Sequence, residues 1–158
     1  MKPRPKHLVA ALAVAAVLVA LVVGDPFADP PARHALQPDN ARVLAQGRRI
    51  YEAQCVACHG ARLEGQPNWR ERGPDGRLPA PPHDASGHTW HHPDELLFRL
   101  TKFGVAKVAN LKGYVSAMPV YEGILSDEEI VAVLSWIKSQ WPAEIRARHD
   151  EINQQAQQ

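Results

Sequence analysis

Cysteine is scarce in this chain of 158 residues: there are two, Cys55 and Cys58, both in one short stretch. That count excludes the dense disulfide framework by which small exported domains hold themselves together. Methionine is equally scarce, and because Met1 is the initiator, Met118 is the sole thioether of the body. An excess of one charge sign is lacking too. Lys and Arg total 18 against 17 Asp and Glu, a net of +1, which gives no broad electrostatic case for a nucleic-acid partner. No stretch alternates apolar and polar residues convincingly, as a half-buried strand does, and no internal repeat is visible. The length suits one ordinary domain with attachments and is too short for two well-buried cores.

What is present begins at the N-terminus. Lys2, Arg4 and Lys6 precede sixteen uninterrupted apolar residues, Leu8 to Val23, closed by Gly24 and Asp25. A run with no polar face at any helical period enters or crosses a membrane, and the basic end stays in the cytoplasm while the rest is exported. Sixteen residues reach roughly 24 Å at ~1.5 Å per residue, a little short of a ~30 Å hydrocarbon core, so length alone does not separate an anchor from a signal peptide. Val22 and Gly24 are small enough to precede a cut, but the A-x-A pattern is missing, which favours the uncleaved anchor for residues 1–24. Residues 25–38 carry prolines at 26, 30, 31 and 38; they read as a semi-rigid linker spanning at most ~43 Å.

The body is expected over residues 39–141, followed by a charged helical tail over 142–158 whose glutamine-rich end, from Asn153, frays. Asp39 or Asn40 can cap a helix from Ala41, with Val43, Gly47, Ile50, Tyr51 and Gln54 on one inward face. Pro93 suits the first helical position of a second helix, with Asp94 and Glu95 in its first turn, Leu96, Leu97, Leu100 and Phe103 along it, and Gly104 ending it. Ser126 and Glu129 form a capping box for a third that buries Ile130, Val133, Leu134, Ile137 and Trp141. Pro142 can open a further helix through Ile152. Between Ala61 and His92 lies a long connection rich in Gly and Pro. A loop of that length in a body of about 100 residues needs something else to fill the space, and a large buried cofactor does so.

Cys55-Val56-Ala57-Cys58-His59 is the C-x-x-C-H pattern of covalent haem attachment. On a helical turn, cysteines three apart point to nearly the same side and reach the two vinyl groups of one porphyrin edge, while the adjacent imidazole ligates the iron. A structural zinc site needs four ligands, and beyond these residues only His83, His88, His91 and His92 are available, without the usual paired spacing. A thioredoxin-like redox pair needs a βαβ context that is missing, and a disulfide across a two-residue gap closes almost no loop. Far along the chain, Gly113-Tyr114-Val115-Ser116-Ala117-Met118-Pro119 sets the lone methionine in a loop. A thioether is a soft iron ligand, and Met/His ligation raises the reduction potential. Met118 is therefore the expected distal ligand, and His59 the proximal one.

These residues resemble a class I c-type cytochrome with one haem, anchored to a bacterial membrane. The likeness spans about residues 40 to 141: Gly47-x-x-x-Tyr51 leading into Cys55-x-x-Cys58-His59, then Met118-Pro119, then Ser126-Asp127-Glu128-Glu129-Ile130 with Trp136-Ile137-Lys138. The resemblance implies an all-α, cytochrome c-like fold of three to four short helices around one covalent haem c. It also implies that the first and last helices cross closely, with Gly47 and Tyr51 against the Leu134 and Ile137 face. The long His- and Pro-rich segment before the methionine departs from the family pattern. Around the ring, the Leu78–Pro82 run offers carbonyls for the second nitrogen of His59, with Pro79 as candidate. Trp69, Trp90, Tyr114 and Tyr121 are equally plausible as ring neighbours and as ordinary core.

The implied function is an electron carrier, not an enzyme. It would shuttle single electrons on the periplasmic side of the membrane between respiratory complexes, with a respiratory donor and a terminal oxidase or periplasmic reductase as partners. Two other readings stay open. An unligated Met118 leaves an open iron, hence a haem enzyme or sensor. Alternatively, His83, His88, His91 and His92 receive copper in an oxidase-associated subunit, or one of them replaces Met118. For that cluster a solvated loop is the favoured expectation, since density alone makes no site.

Overall fold

The computed structural model describes residues 33–158. The apolar run and residues 25–32 of the linker lie outside the described residues. Among those described there are six helices and no strand. In order they are α1 (Ala41–Gln54), α2 (Val56–His59), a 3-10 turn (Thr89–His91), α3 (Asp94–Phe103), α4 (Val105–Val108), α5 (Asp127–Ser139) and α6 (Ala143–Gln155). None of the described helices is long and apolar enough to cross a membrane.

α1 starts where its cap is: the Asn40 side chain accepts from the Val43 amide at 3.3 Å. α5 starts on its capping box, with the Glu129 amide donating to Ser126 Oγ at 3.2 Å and the Ser126 amide to Glu129 Oε2 at 2.8 Å. The two helices cross at Gly47, where a Cβ would run into the Ala132 carbonyl and come within 2.9 Å of Trp136 Cβ. One turn on, Tyr51 packs its ring against Trp136 at 4.7 Å. The close approach was expected but its α5 partners were not. Leu134 and Ile137 point with Ile130 and Val133 into the core, while Ala132 and Trp136, four apart, form the neighbouring ridge that receives α1. Gln54, expected on the inward face, is exposed. Its carbonyl is used instead, accepting from Tyr121 Oη at 3.0 Å.

Pro93 caps α3 from outside, in extended backbone (φ −66°, ψ 157°), and is not its first helical residue. Along α3 the buried apolar residues are Leu97 and Phe98, with Leu96, Leu100 and Phe103 only half-buried. Phe98 is covered from the N-terminal side: the His34 ring stacks on it at 3.5 Å. The described end of the linker is therefore docked on the body. Leu36 is buried, its amide donates to Asp94 Oδ2 at 2.8 Å, and the Gln37 amide donates to Ser135 Oγ at 2.9 Å.

The C-terminal segment also differs from expectation. α6 continues to Gln155, and Asn153 is tied down: it accepts from the Asp94 amide at 2.7 Å and donates to Asp94 Oδ1 at 3.0 Å. His149 is fully buried against Trp141, at a ring distance of 5.1 Å, and Lys138 reaches Asp150 at 2.5 Å. A helix with a mostly charged face is held here by polar partners on its neighbours, a property that apolar periodicity does not register.

Candidate functional site

α1 ends by handing its last hydrogen bond to Cys55, whose amide donates to the Tyr51 carbonyl at 2.9 Å. The chain then makes the single turn of α2, which has Cys55 as its N-cap and Cys58 and His59 as its last two positions. Gly60, with φ +80°, stops that turn; this left-handed conformation is one that glycine adopts without strain. Tyr51 Oη donates to the Gly60 carbonyl at 2.8 Å, tying the motif back onto α1.

Both cysteines carry free thiols, Cys55 half-buried and Cys58 exposed. Burial, and next the neighbouring Cys58, push the Cys55 thiol up to about 11. It is protonated at neutral pH, the opposite of the depressed thiol that a dithiol redox motif uses. His59 is buried, and its Nδ1 donates to the Pro81 carbonyl at 2.9 Å. The carbonyl expected at Pro79 thus comes from Pro81, two residues along the same run. Burial lowers the His59 pKa, opposed in part by that hydrogen bond. With the proton on Nδ1, Nε2 keeps its lone pair for a metal.

Met118 lies in a loop, half-buried, and packs against the core cluster that Cys55 also joins. Its amide donates to Ser116 Oγ at 3.0 Å. Three residues later, buried Tyr121 bonds the carbonyl of Gln54, immediately before Cys55. The methionine loop and the cysteine turn, distant in sequence, are fastened together at that point.

Of the four histidines of the long connection, only His88 and His92 meet ring to ring. His83 stacks on His59 at a ring distance of 3.9 Å, His88 stacks on Trp69 at 5.2 Å, and His91 stacks on Trp90 at 3.6 Å. His92 meets His88 edge-on at 5.5 Å. Among the described residues no group of three or more His, Cys, Asp or Glu side chains is arranged to hold a metal ion. The expectation of a solvated loop fails for His83, which is half-buried; its burial and the nearby imidazoles hold its pKa well below the ordinary value. Its contact with His59 had no signal in sequence beyond its place two residues after Pro81. Of the aromatic candidates, Trp90 and Tyr121 are core residues. Trp69 in the connection and Tyr114 in the methionine loop are half-buried, each under an arginine, Arg70 at 4.0 Å and Arg72 at 5.5 Å.

The donor set fits a haem c: two unpaired thiols on one turn, and an imidazole engaged on the nitrogen that iron does not need. The comparison with protein families agrees, because the cytochrome c model matches residues 44–141. No curated protein and no solved structure matches the chain. The matched span covers more than half of the sequence and contains most of α1, the cysteine turn, the methionine loop and α5. This chain accordingly belongs to the cytochrome c family, whose domain binds haem and whose general role is electron transfer.

Proposed function

We propose that this protein carries single electrons through one haem c on the periplasmic side of the cytoplasmic membrane, held there by its N-terminal apolar segment. In this reading Cys55 and Cys58 form the thioether links, His59 Nε2 is the proximal ligand and Met118 Sδ the distal one. A haem bound there supplies a one-electron Fe(III)/Fe(II) couple. The chain's own residues do the rest. Pro81 fixes the tautomer of His59, and Tyr121 keeps the methionine loop on the cysteine turn. The observation that carries the proposal is the His59 to Pro81 bond at 2.9 Å, which leaves one imidazole nitrogen beside two free thiols.

A carrier needs no substrate pocket, only a ring edge that a partner protein can approach. The partners proposed are a respiratory donor and a terminal oxidase or periplasmic reductase. The basic segment followed by Leu8–Val23 supports the address. A tether raises the effective concentration of the carrier near membrane complexes relative to free diffusion.

The test is full-length protein made in cells with haem-attachment machinery. Mass spectrometry is expected to give the chain plus one haem with its N-terminus intact. The oxidised spectrum is expected to show the red thioether-to-iron band, and Met118→Leu to abolish that band and lower the potential. A high-spin wild-type spectrum would overturn the carrier reading, and a chain cut near Gly24 would overturn the tether.

A further inference from the structure

One hydrogen bond does not fix the plane of an imidazole. The Pro81 carbonyl holds His59 Nδ1, but acceptor geometry at a carbonyl oxygen is broad and the ring torsion of histidine is soft, so the ring can still rock about that bond. A second constraint is present in the same site. His83 lies face to face with His59, with ring centroids 3.9 Å apart and planes within 21°. Neither ring can rotate far without driving into the other.

His83 is itself held. The Thr89 hydroxyl donates to the Pro82 carbonyl at 3.4 Å and so accepts from His83 Nδ1 at 2.8 Å. The His83 amide donates to the Leu63 carbonyl at 2.8 Å, and its carbonyl accepts from Trp141 Nε1 at 2.6 Å. Thr89 and Trp141 are both buried, so the ring is referred to the 3-10 turn and its backbone to the segment between α5 and α6. Pro81 and Pro82 join the two histidine contacts through a stiff segment. The carbonyl that orients His59 and the ring that covers it therefore move as one unit.

We propose that His83 is a positioning residue for the haem ligand: by stacking on His59 and being tethered to Thr89 and Trp141, it sets the plane in which the His59 imidazole meets the iron. This rests on the proposed ligation by His59. The plane of an axial imidazole governs the splitting of the iron d orbitals in a low-spin ferric haem. The readout is therefore the ferric EPR g-tensor and the pattern of haem-methyl NMR shifts, neither of which reports stability.

The experiment compares full-length holoprotein carrying His83, His83→Ala, His83→Phe and Thr89→Val. His83→Ala is expected to shift and broaden the g-values and to redistribute the haem-methyl shifts, with the thioether-to-iron band retained. His83→Phe keeps a flat ring and is expected to restore the wild-type pattern in large part. Thr89→Val, which keeps the ring and loses its tether, is expected to fall between wild type and His83→Ala. Unchanged g-values and methyl shifts in His83→Ala would overturn the proposal while leaving His59 ligation intact. A His83→Phe spectrum no closer to wild type than that of His83→Ala would overturn the stacking mechanism. If His83→Ala takes up no haem, the other two variants decide by the same criteria. Wild-type protein without low-spin haem removes the ligation reading and this one together.

Discussion

Gly47 is the residue at which one methyl group decides the packing. In an isolated helix, alanine would be favoured there by about 1 kcal/mol. In the fold, its Cβ would meet the Ala132 backbone carbonyl, which has no rotamer to move into. Overpacking of this kind costs about 1–3 kcal/mol beyond any propensity gain. Gly47→Ala holoprotein is therefore expected to unfold at lower urea concentration, and an unchanged or higher midpoint would contradict the close crossing. That Gly47 marks a close approach was implied by the family resemblance that Gly47-x-x-x-Tyr51 helps to carry. Which α5 residues it meets was not, because the two ridges of a helix differ by a rotation that one sequence leaves undefined. Pro81 in place of Pro79 is a lesson of the same kind. A run of carbonyls is visible in sequence, while the one that faces His59 depends on the path of the loop.

At the scale of the element, α6 shows what apolar periodicity overlooks. It docks through His149, whose Nε2 donates to the His92 carbonyl at 3.0 Å, lies 3.5 Å from Asp94 Oδ1, and whose Nδ1 faces Asn153 at 3.3 Å. Burial and then the charge of Lys138 lower its pKa from 6.5, while Asp94, the His92 carbonyl and Asp150 act the other way. The folded state thus binds this proton less readily than the unfolded chain. The contribution of the docked helix is full above about pH 6.5 and is lost as the pH falls toward the depressed value. Hydrogen-exchange protection over residues 143–155, measured relative to the intrinsic rate at each pH, is expected to fall between pH 7.5 and pH 5. His149→Gln is expected to flatten that dependence, and an equally steep profile in the variant would assign the effect to other groups. α1 and α5, by contrast, begin at the caps read from Asn40, Ser126 and Glu129, because a cap is a contact within four residues of chain. Phe98 escaped notice since its cover comes from His34, sixty-four positions upstream.

For the whole molecule, the described body begins before residue 39. His34, Leu36 and Gln37 pack on α3 and α5, so a chain starting at residue 39 loses the burial of Leu36, about 2 kcal/mol. It also leaves Asp94 without its backbone donor, at about 1 kcal/mol. Such a chain, matured with haem, is expected to be about 2–4 kcal/mol less stable in urea than one starting at residue 33. Equal stability would mean that this segment adds nothing to the body. Short-range chemistry was enough for the all-helical class, the capped starts of α1 and α5 and the cysteine–histidine turn, since each depends on residues a turn or less apart, while Met118 was singled out as the sole thioether of the body. Only the assembled fold decided that Tyr121 fastens the methionine loop to Gln54, that His83 lies on His59, and that the two ends of the described chain meet at Asp94. Each of those joins residues more than twenty positions apart, and their meeting depends on the crossing of helices and the course of a long loop, which no local pattern encodes.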